Sequence, residues 1–252
     1  MGRFSHKIGD HFQHFPIETW QDELKTGKKF GFDGVEWIIS DYSNPIFNFK
    51  NIPNIKKELR KTKMRISSIA LDFIMHEPLY SIKFKNLNWV VKKITAIQKE
   101  INIPRITIPL EETCRYRNKI QKRKALKSLN FLLKSLSSRS KISIETDLKF
   151  EELFKILNNK KFYNLGLLVD IGNFRASGKN LQKFLTHFNR KIFGVHIKYR
   201  EKNYGKTRLL PKKFNELSIL KQNINNLENI QDITFQTFRS NNNFLSDMKS
   251  NI

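Results

Sequence analysis

Cysteine is nearly absent from this 252-residue sequence, where Cys114 stands alone. A single thiol excludes an internal disulfide framework and any zinc site built from cysteines. Long apolar runs are missing too: no stretch approaches the roughly 18 uninterrupted apolar residues of a membrane-spanning helix. The opening residues, Met1-Gly2-Arg3-Phe4-Ser5-His6-Lys7, contain no apolar core segment and do not read as a signal peptide. The expected compartment is a reducing cytoplasm. Neither G-x-G-x-x-G nor G-x-x-x-x-G-K-S/T follows any apolar run, which removes the usual nucleotide sites. No Ser/Pro-rich linker interrupts the chain, so residues 1–252 are read as one domain.

Acidic residues are scarce, 23 against 47 Lys and Arg, giving a formal net charge of +24. Such an excess invites a nucleic-acid reading, because Lys and Arg displace counterions from phosphate. The distribution argues the other way. The positive residues are spread along the chain, with denser spots at 56–63, 115–127, 198–208 and 212–213. Joint enrichment in Lys, Asn, Ile and Phe is what A/T-biased codons produce with no polyanion to bind. A solvated basic surface is therefore expected, and nucleic acid is not the expected partner.

What the sequence does have is apolar material. Hydrophobic residues make up 39%, with 21 Phe, which supports a sizeable core and excludes a wholly disordered chain. Short β-branched runs alternate with longer amphipathic ones. Strands are predicted at 34–39, 65–71, 105–110, 141–146, 165–171, 191–198 and 232–237. Each is nearly continuously apolar, as strands covered on both faces should be. Helices are predicted at 19–29, 53–61, 86–101, 117–137, 150–158, 180–188 and 211–227, with Thr19 and Ser81 as starting residues and Pro53 and Pro211 in first turns. Strict alternation implies a parallel sheet with helices outside. At this length the expected fold is α/β, a (β/α)8 barrel, with a doubly wound open sheet as the alternative. The helix at 19–29 needs a strand before it, yet residues 1–16 are polar and His-rich. The first strand is expected to be short or missing, which leaves an open edge and a route to homo-oligomers.

In such barrels chemistry collects where strands end. Polar residues stand at those points: Glu36, Asp72, Glu111 and Glu112, then Glu145, Asp170, His196 and Gln236. A carboxylate in an apolar strand is costly to bury unless paired or bound to metal. The last four lie on four consecutive strands and would converge at the barrel mouth. Two carboxylates, an imidazole and an amide oxygen suit a divalent ion such as Mn²⁺, Mg²⁺, Co²⁺ or Zn²⁺.

Several local motifs point the same way. They are Met1-Gly2-Arg3-Phe4-Ser5, Gln13-His14-Phe15-Pro16 with Trp20, Gly34-Val35-Glu36-Trp37 with Asn44-Pro45, and Asp72-Phe73-Ile74-Met75 with Pro78-Leu79. Val169-Asp170-Ile171-Gly172-Asn173, His196-Ile197-Lys198 and Tyr204-Gly205-Lys206-Thr207 complete the set. In their order the chain resembles the xylose-isomerase-like barrel superfamily of sugar and sugar-phosphate isomerases and epimerases, over nearly its whole length. The resemblance implies a metal site at Glu145, Asp170, His196 and Gln236, with Glu145 as the base that moves a proton α to a carbonyl through an enediolate. The expected ligand is a sugar or sugar phosphate. The chain departs from the family at Gln236, where Glu is usual, and at Tyr199, where many relatives carry Asp. An amide can hold a metal but cannot move a proton.

Lys198, Arg200 and Lys206 flank Gly205 after the predicted seventh strand, where they would suit a phosphate or merely form a solvated basic loop. Asn173 would bind a substrate hydroxyl or simply serve a turn. Glu36 would touch substrate, orient a ligand or be a paired interior carboxylate. His11 and His14 are read as exposed loop residues, Trp20, Trp37 and Trp89 as core, and Cys114 as inert. Two other functions fit the same fold: a non-catalytic or degenerate barrel, and an apurinic-endonuclease-like enzyme. The latter needs more His and carboxylate ligands than this chain offers.

Overall fold

Seven apolar runs pair side by side as parallel strands in the computed structural model, which describes residues 1–6, 9, 13–240 and 242–252. They are β1 (Gly34–Ile38), β2 (Arg65–Ala70), β3 (Arg105–Leu110), β4 (Lys141–Thr146), β5 (Leu165–Asp170), β6 (Ile192–Ile197) and, after a hairpin, β9 (Asp232–Phe235). The hairpin strands β7 (Tyr199–Arg200) and β8 (Thr207–Arg208) form a separate antiparallel ribbon. The order β1-β2-β3-β4-β5-β6-β9 follows the chain, which is the order of a barrel wall rather than of a doubly wound sheet. All six residues in each of β3, β5 and β6 are buried, because helices cover one face and the barrel interior covers the other.

The helices between them are α1 (Trp20–Lys29), α2 (Ile52–Thr62), α3 (Phe84–Glu100), α4 (Lys119–Leu136), α5 (Phe150–Leu157), α6 (Ile171–Ser177), α7 (Leu181–Phe188) and α8 (Asn215–Asn223). A last helix, α9 (Phe244–Asn251), closes the chain. In α3 the buried residues Leu87, Val90, Val91, Ile94 and Ile97 recur every three or four positions, so one stripe faces the sheet. Pro53 occupies the first turn of α2, where its missing N–H costs nothing. Among the described residues no helix is long and apolar enough to cross a membrane.

No strand precedes α1 among the described residues, as the polar opening of the sequence predicts. The seam between β1 and β9 is filled by side chains and by the N-terminal segment. The Met1 nitrogen donates to the Glu36 carbonyl at 2.8 Å. Phe15 packs on Trp37 with ring centroids 4.8 Å apart, and Phe32 meets Phe235 at 5.7 Å. His11 lies outside the described residues.

Three local readings are corrected. Trp89, expected in the core, is 38% exposed and packs edge-on against Phe47 and Tyr42. The helix expected from Pro211 starts at Asn215 instead. The strand expected to reach residue 171 ends at Asp170, whose side chain caps α6 by accepting from the Asn173 N–H at 2.9 Å.

The barrel interior is held by one buried cation. Arg105, fully buried at the start of β3, makes a two-pronged bond to Asp232 on β9, with both N···O distances 2.7 Å. It also lies 3.6 Å from Glu36 on β1 and donates to Ser143 on β4 at 3.1 Å. Gly194 makes room for it: a Cβ there would sit 2.6 Å from the guanidinium carbon. Arg105 thus spans the interior to the two strands that do not pair with each other. Removing it would leave the buried Asp232 carboxylate uncompensated and take one of two partners from Glu36. Arg105→Ala is expected to lower unfolding free energy by about 3–5 kcal/mol in urea denaturation, as for other broken buried ion pairs. Arg190→Ala, at a pair whose arginine side chain is 77% exposed, should leave the midpoint unchanged.

Candidate active site

Three strand ends bring Glu145, Asp170 and His196 together. One ligand atom from each lies within 4.8 Å of the others, the one such group found among the described residues. Asp170 and His196 are direct neighbours in the register of β5 and β6. The cluster borders a cavity of about 630 Å³ whose lining includes Glu111, Glu145, Asn173, Lys198, Gln236 and Arg239.

His196 is oriented from behind. Its Nε2 lies 2.8 Å from Glu36 Oε1, which places the ring proton on that nitrogen in the neutral form. The opposite nitrogen, Nδ1, is buried with no hydrogen-bond partner and lies 3.9 Å from Glu145 Oε2. A carboxylate behind the ring and a bare nitrogen lone pair in front is the arrangement of a metal-binding histidine. Burial raises the Glu36 carboxyl, but the His196 charge and hydrogen bond outweigh it and bring Glu36 down to about 2. The converse holds for His196, where burial opposes the charge but Glu36 raises its pKa above the ordinary value.

Asp170 divides its two oxygens. Oδ1 caps α6, while Oδ2 lies 2.6 Å from the Lys198 ammonium. Lys198 donates in turn to Gln236 Oε1 at 3.1 Å. Gln236, expected as a fourth metal donor, therefore meets the cluster through the lysine. Gly172 permits this approach, since a Cβ there would lie 2.6 Å from the lysine Cγ. Burial works against the Lys198 charge, yet Asp170, Glu145 and Glu111 together raise its pKa.

Asn173, on the first turn of α6, donates toward Glu111 Oε2 at 3.3 Å and Glu145 Oε1 at 3.5 Å. Its carbonyl accepts from Arg200 at 3.1 Å, and Arg200 also pairs with Glu112 at 2.8 Å. Burial and the neighbouring Glu111 charge push Glu145 well above the usual carboxylate range. Burial likewise raises Glu111 to about 8, against the pull of Lys198. Lys206 lines the cavity at the hairpin, and Arg208 pairs with Glu201 at 3.0 Å. Cys114 is buried with its thiol pushed up to about 12, chiefly by burial.

The sequence reading gave no role to Glu111, Gln13 or Arg239. Glu111 carried the same strand-end signal as its neighbours. Gln13 and Arg239 sit in loops, where no period marks a residue. Nδ1 of His196 and the oxygens of Glu145 and Asp170 could hold a divalent ion, one nitrogen and two carboxylates being a common donor set.

With seven parallel strands wrapped in barrel order and this cluster at their carboxyl ends, the chain has the fold of the xylose-isomerase-like barrels. No family model and no curated protein sequence matches it. Solved structures match over nearly the full length. The probable 3-DHS dehydratase AsbF of Bacillus anthracis superposes with a TM-score of 0.70 at 12% identity, covering 98% of this chain and 94% of that one. The IolI protein, solved with a zinc atom, gives 0.67 at 16% identity over 91% and 89%. D-psicose 3-epimerase, solved in the presence of D-fructose, gives 0.66 at 13% identity over 99% and 87%.

The raised Glu111 carboxyl makes stability depend on pH. Below its ordinary value of 4.5 both folded and unfolded chains hold the proton, and between 4.5 and about 8 only the folded chain does. Folding then takes up a proton, so stability falls as pH rises through that window. Glu111→Gln should flatten part of this fall in melting temperature, measured in chelator between about pH 4.5 and 8, and should be more stable than the parent at the alkaline end. An unchanged slope would contradict the assignment.

Proposed function

We propose that this chain is a divalent-metal-dependent sugar or sugar-phosphate isomerase or epimerase that moves a proton α to a carbonyl. The observation that carries this reading is the unpartnered His196 Nδ1, aimed between Glu145 and Asp170 at the edge of an open cavity. The zinc in the IolI protein, and the D-fructose in whose presence D-psicose 3-epimerase was solved, support it from the same fold. His196, Asp170 and Glu145 would hold the ion, which supplies Lewis-acid polarisation of the substrate oxygens.

This chain's residues do the rest. Glu145, with its proton affinity raised by burial and by Glu111, is the carboxylate that would take and return the proton. Glu36 is a positioning residue that fixes the His196 ring. Asn173 spans Glu111 and Glu145 and sets their separation. Gln236 cannot move a proton. Glu111, protonated up to about pH 8, is a second carboxyl at the cavity and would serve inversion of a carbon if the enzyme is an epimerase. Lys198 and Lys206 would meet substrate oxygens, while Arg200 would keep Asn173 in place.

A metal-free, non-catalytic barrel is the second reading. It is favoured by the Lys198 ammonium, which already compensates Asp170 Oδ2 at 2.6 Å. Metal binding separates the two. Calorimetry with Mn²⁺ or Zn²⁺ should show one site per chain, weakened at least tenfold in His196→Ala. Lys198→Met should tighten it, because the competing ammonium is gone. Absence of binding would leave the non-catalytic reading.

Catalysis is tested by incubating a panel of ketoses and ketose phosphates in D₂O. Deuterium should enter at the carbon next to the carbonyl. Glu145→Gln should abolish exchange, and Glu111→Gln should spare exchange while suppressing any inversion. Exchange that survives in Glu145→Gln would overturn the role of that residue.

A further inference from the structure

The helical layer carries a second large recess, and its lining shares no residue with that of the cavity at the strand ends. Helices α3 and α4 pack side by side. A groove of about 990 Å³ runs between α4 and the residues that lead into α3. Its floor is apolar: Leu79 and Leu87 are buried, and Ile82 and Phe131 pack half-buried against the core. Its rim is apolar as well. Phe84 is 65% exposed and Ile120 is 62% exposed, although both line the groove. The Phe84 and Phe131 rings meet with centroids 5.0 Å apart. Large apolar side chains left in water together, rather than scattered singly, mark a surface that something covers.

The polar residues of the groove set the chemistry of its occupant. No Asp or Glu lines it. Lys124, Lys127 and Lys134 do line it, all three exposed. None of them forms an ion pair among the described residues. With Ile120 and Phe131 they recur every three or four residues of α4 and so form one stripe along it. From Ile120 to Lys134 that stripe is roughly 21 Å long, about four helical turns. Charge and length together choose among occupants. A second copy of a +24 chain would bring like charge to a cationic groove. An acyl chain offers one anionic head, whereas the three lysines are spread over roughly 15 Å. An amphipathic helix meets both requirements. Its apolar stripe would lie on Phe84, Ile120 and Phe131, and carboxylates at helical spacing would reach the lysines.

We propose that the groove between α3 and α4 docks an acidic amphipathic helix of a partner protein. The exposed rings and Ile120 supply the apolar area that holds the complex together, and the lysines steer the acidic partner and set its register. The groove lies outside the strand-end cavity, so the inference does not rest on the activity proposed above.

The test uses the full chain and a labelled synthetic peptide of about four helical turns, with leucine along one face and glutamate beside it. Fluorescence anisotropy should show saturable binding of one peptide per chain, and circular dichroism should show the peptide gaining helix. The triple variant Lys124→Glu, Lys127→Glu, Lys134→Glu should weaken binding at least about tenfold. A control triple of the same net charge, Lys57→Glu, Lys160→Glu, Lys161→Glu, alters exposed residues outside the groove and should bind as the parent does. Phe84→Ser should also weaken binding at least about tenfold. No saturable binding, or equal loss in the two triples, would overturn the proposal, the latter because it would show attraction to bulk charge alone. A dimer of the chain by light scattering that is lost in Phe84→Ser would assign the groove to a second copy instead. Laurate binding more tightly than the peptide would assign it to an acyl chain.

Discussion

A single line of buried acids and bases runs through the barrel interior, and both the fold and the site depend on it. Asp232 holds Arg105, Arg105 faces Glu36, Glu36 holds the back of His196, and His196 faces Glu145. Each member is too buried to be stable alone, so each requires the next. The line also does geometric work. It joins β1, β3, β6 and β9 across the interior where no ladder joins β1 to β9, and it brings the free imidazole nitrogen to face Glu145, which lines the cavity.

That economy explains why the cluster is poised rather than collapsed. The Glu36 bond consumes the one ring nitrogen that could have turned away from the cavity. The cap on α6 likewise consumes one Asp170 oxygen and leaves the other for a cation. Lys198 occupies that second oxygen, so a divalent ion and an ammonium compete for the same carboxylate. The site is a balance of local charge, with the acids Glu111, Glu145 and Asp170 gathered around the Lys198 ammonium.

Much of the fold was legible without coordinates. Six of the seven strands match their predicted segments to within one residue at either end, because a run buried on both faces leaves an unmistakable apolar block. The polar residues that interrupt or end those blocks, Glu36, Glu145, Asp170 and His196, were legible for the same reason. Helix α6 was not. At seven residues it is too short to show a period, and its start is decided by the Asp170 cap. Trp89 was misplaced because its helix packs its stripe of Leu, Val and Ile inward and leaves the indole at the rim.

The sequence by itself determined the alternation of strands and helices, the parallel order and the set of polar strand ends, all of which are local patterns of period and burial. Tertiary structure alone decided which polar residues meet. Glu36 finds His196 across 160 positions, and Arg105 finds Asp232 across 127. Lys198 reaches Asp170 over a glycine, and Arg239 reaches the Ser5 carbonyl from the far end of the chain. Such pairings follow from barrel curvature and loop path, which bring distant residues to one place and leave no periodic trace in the chain.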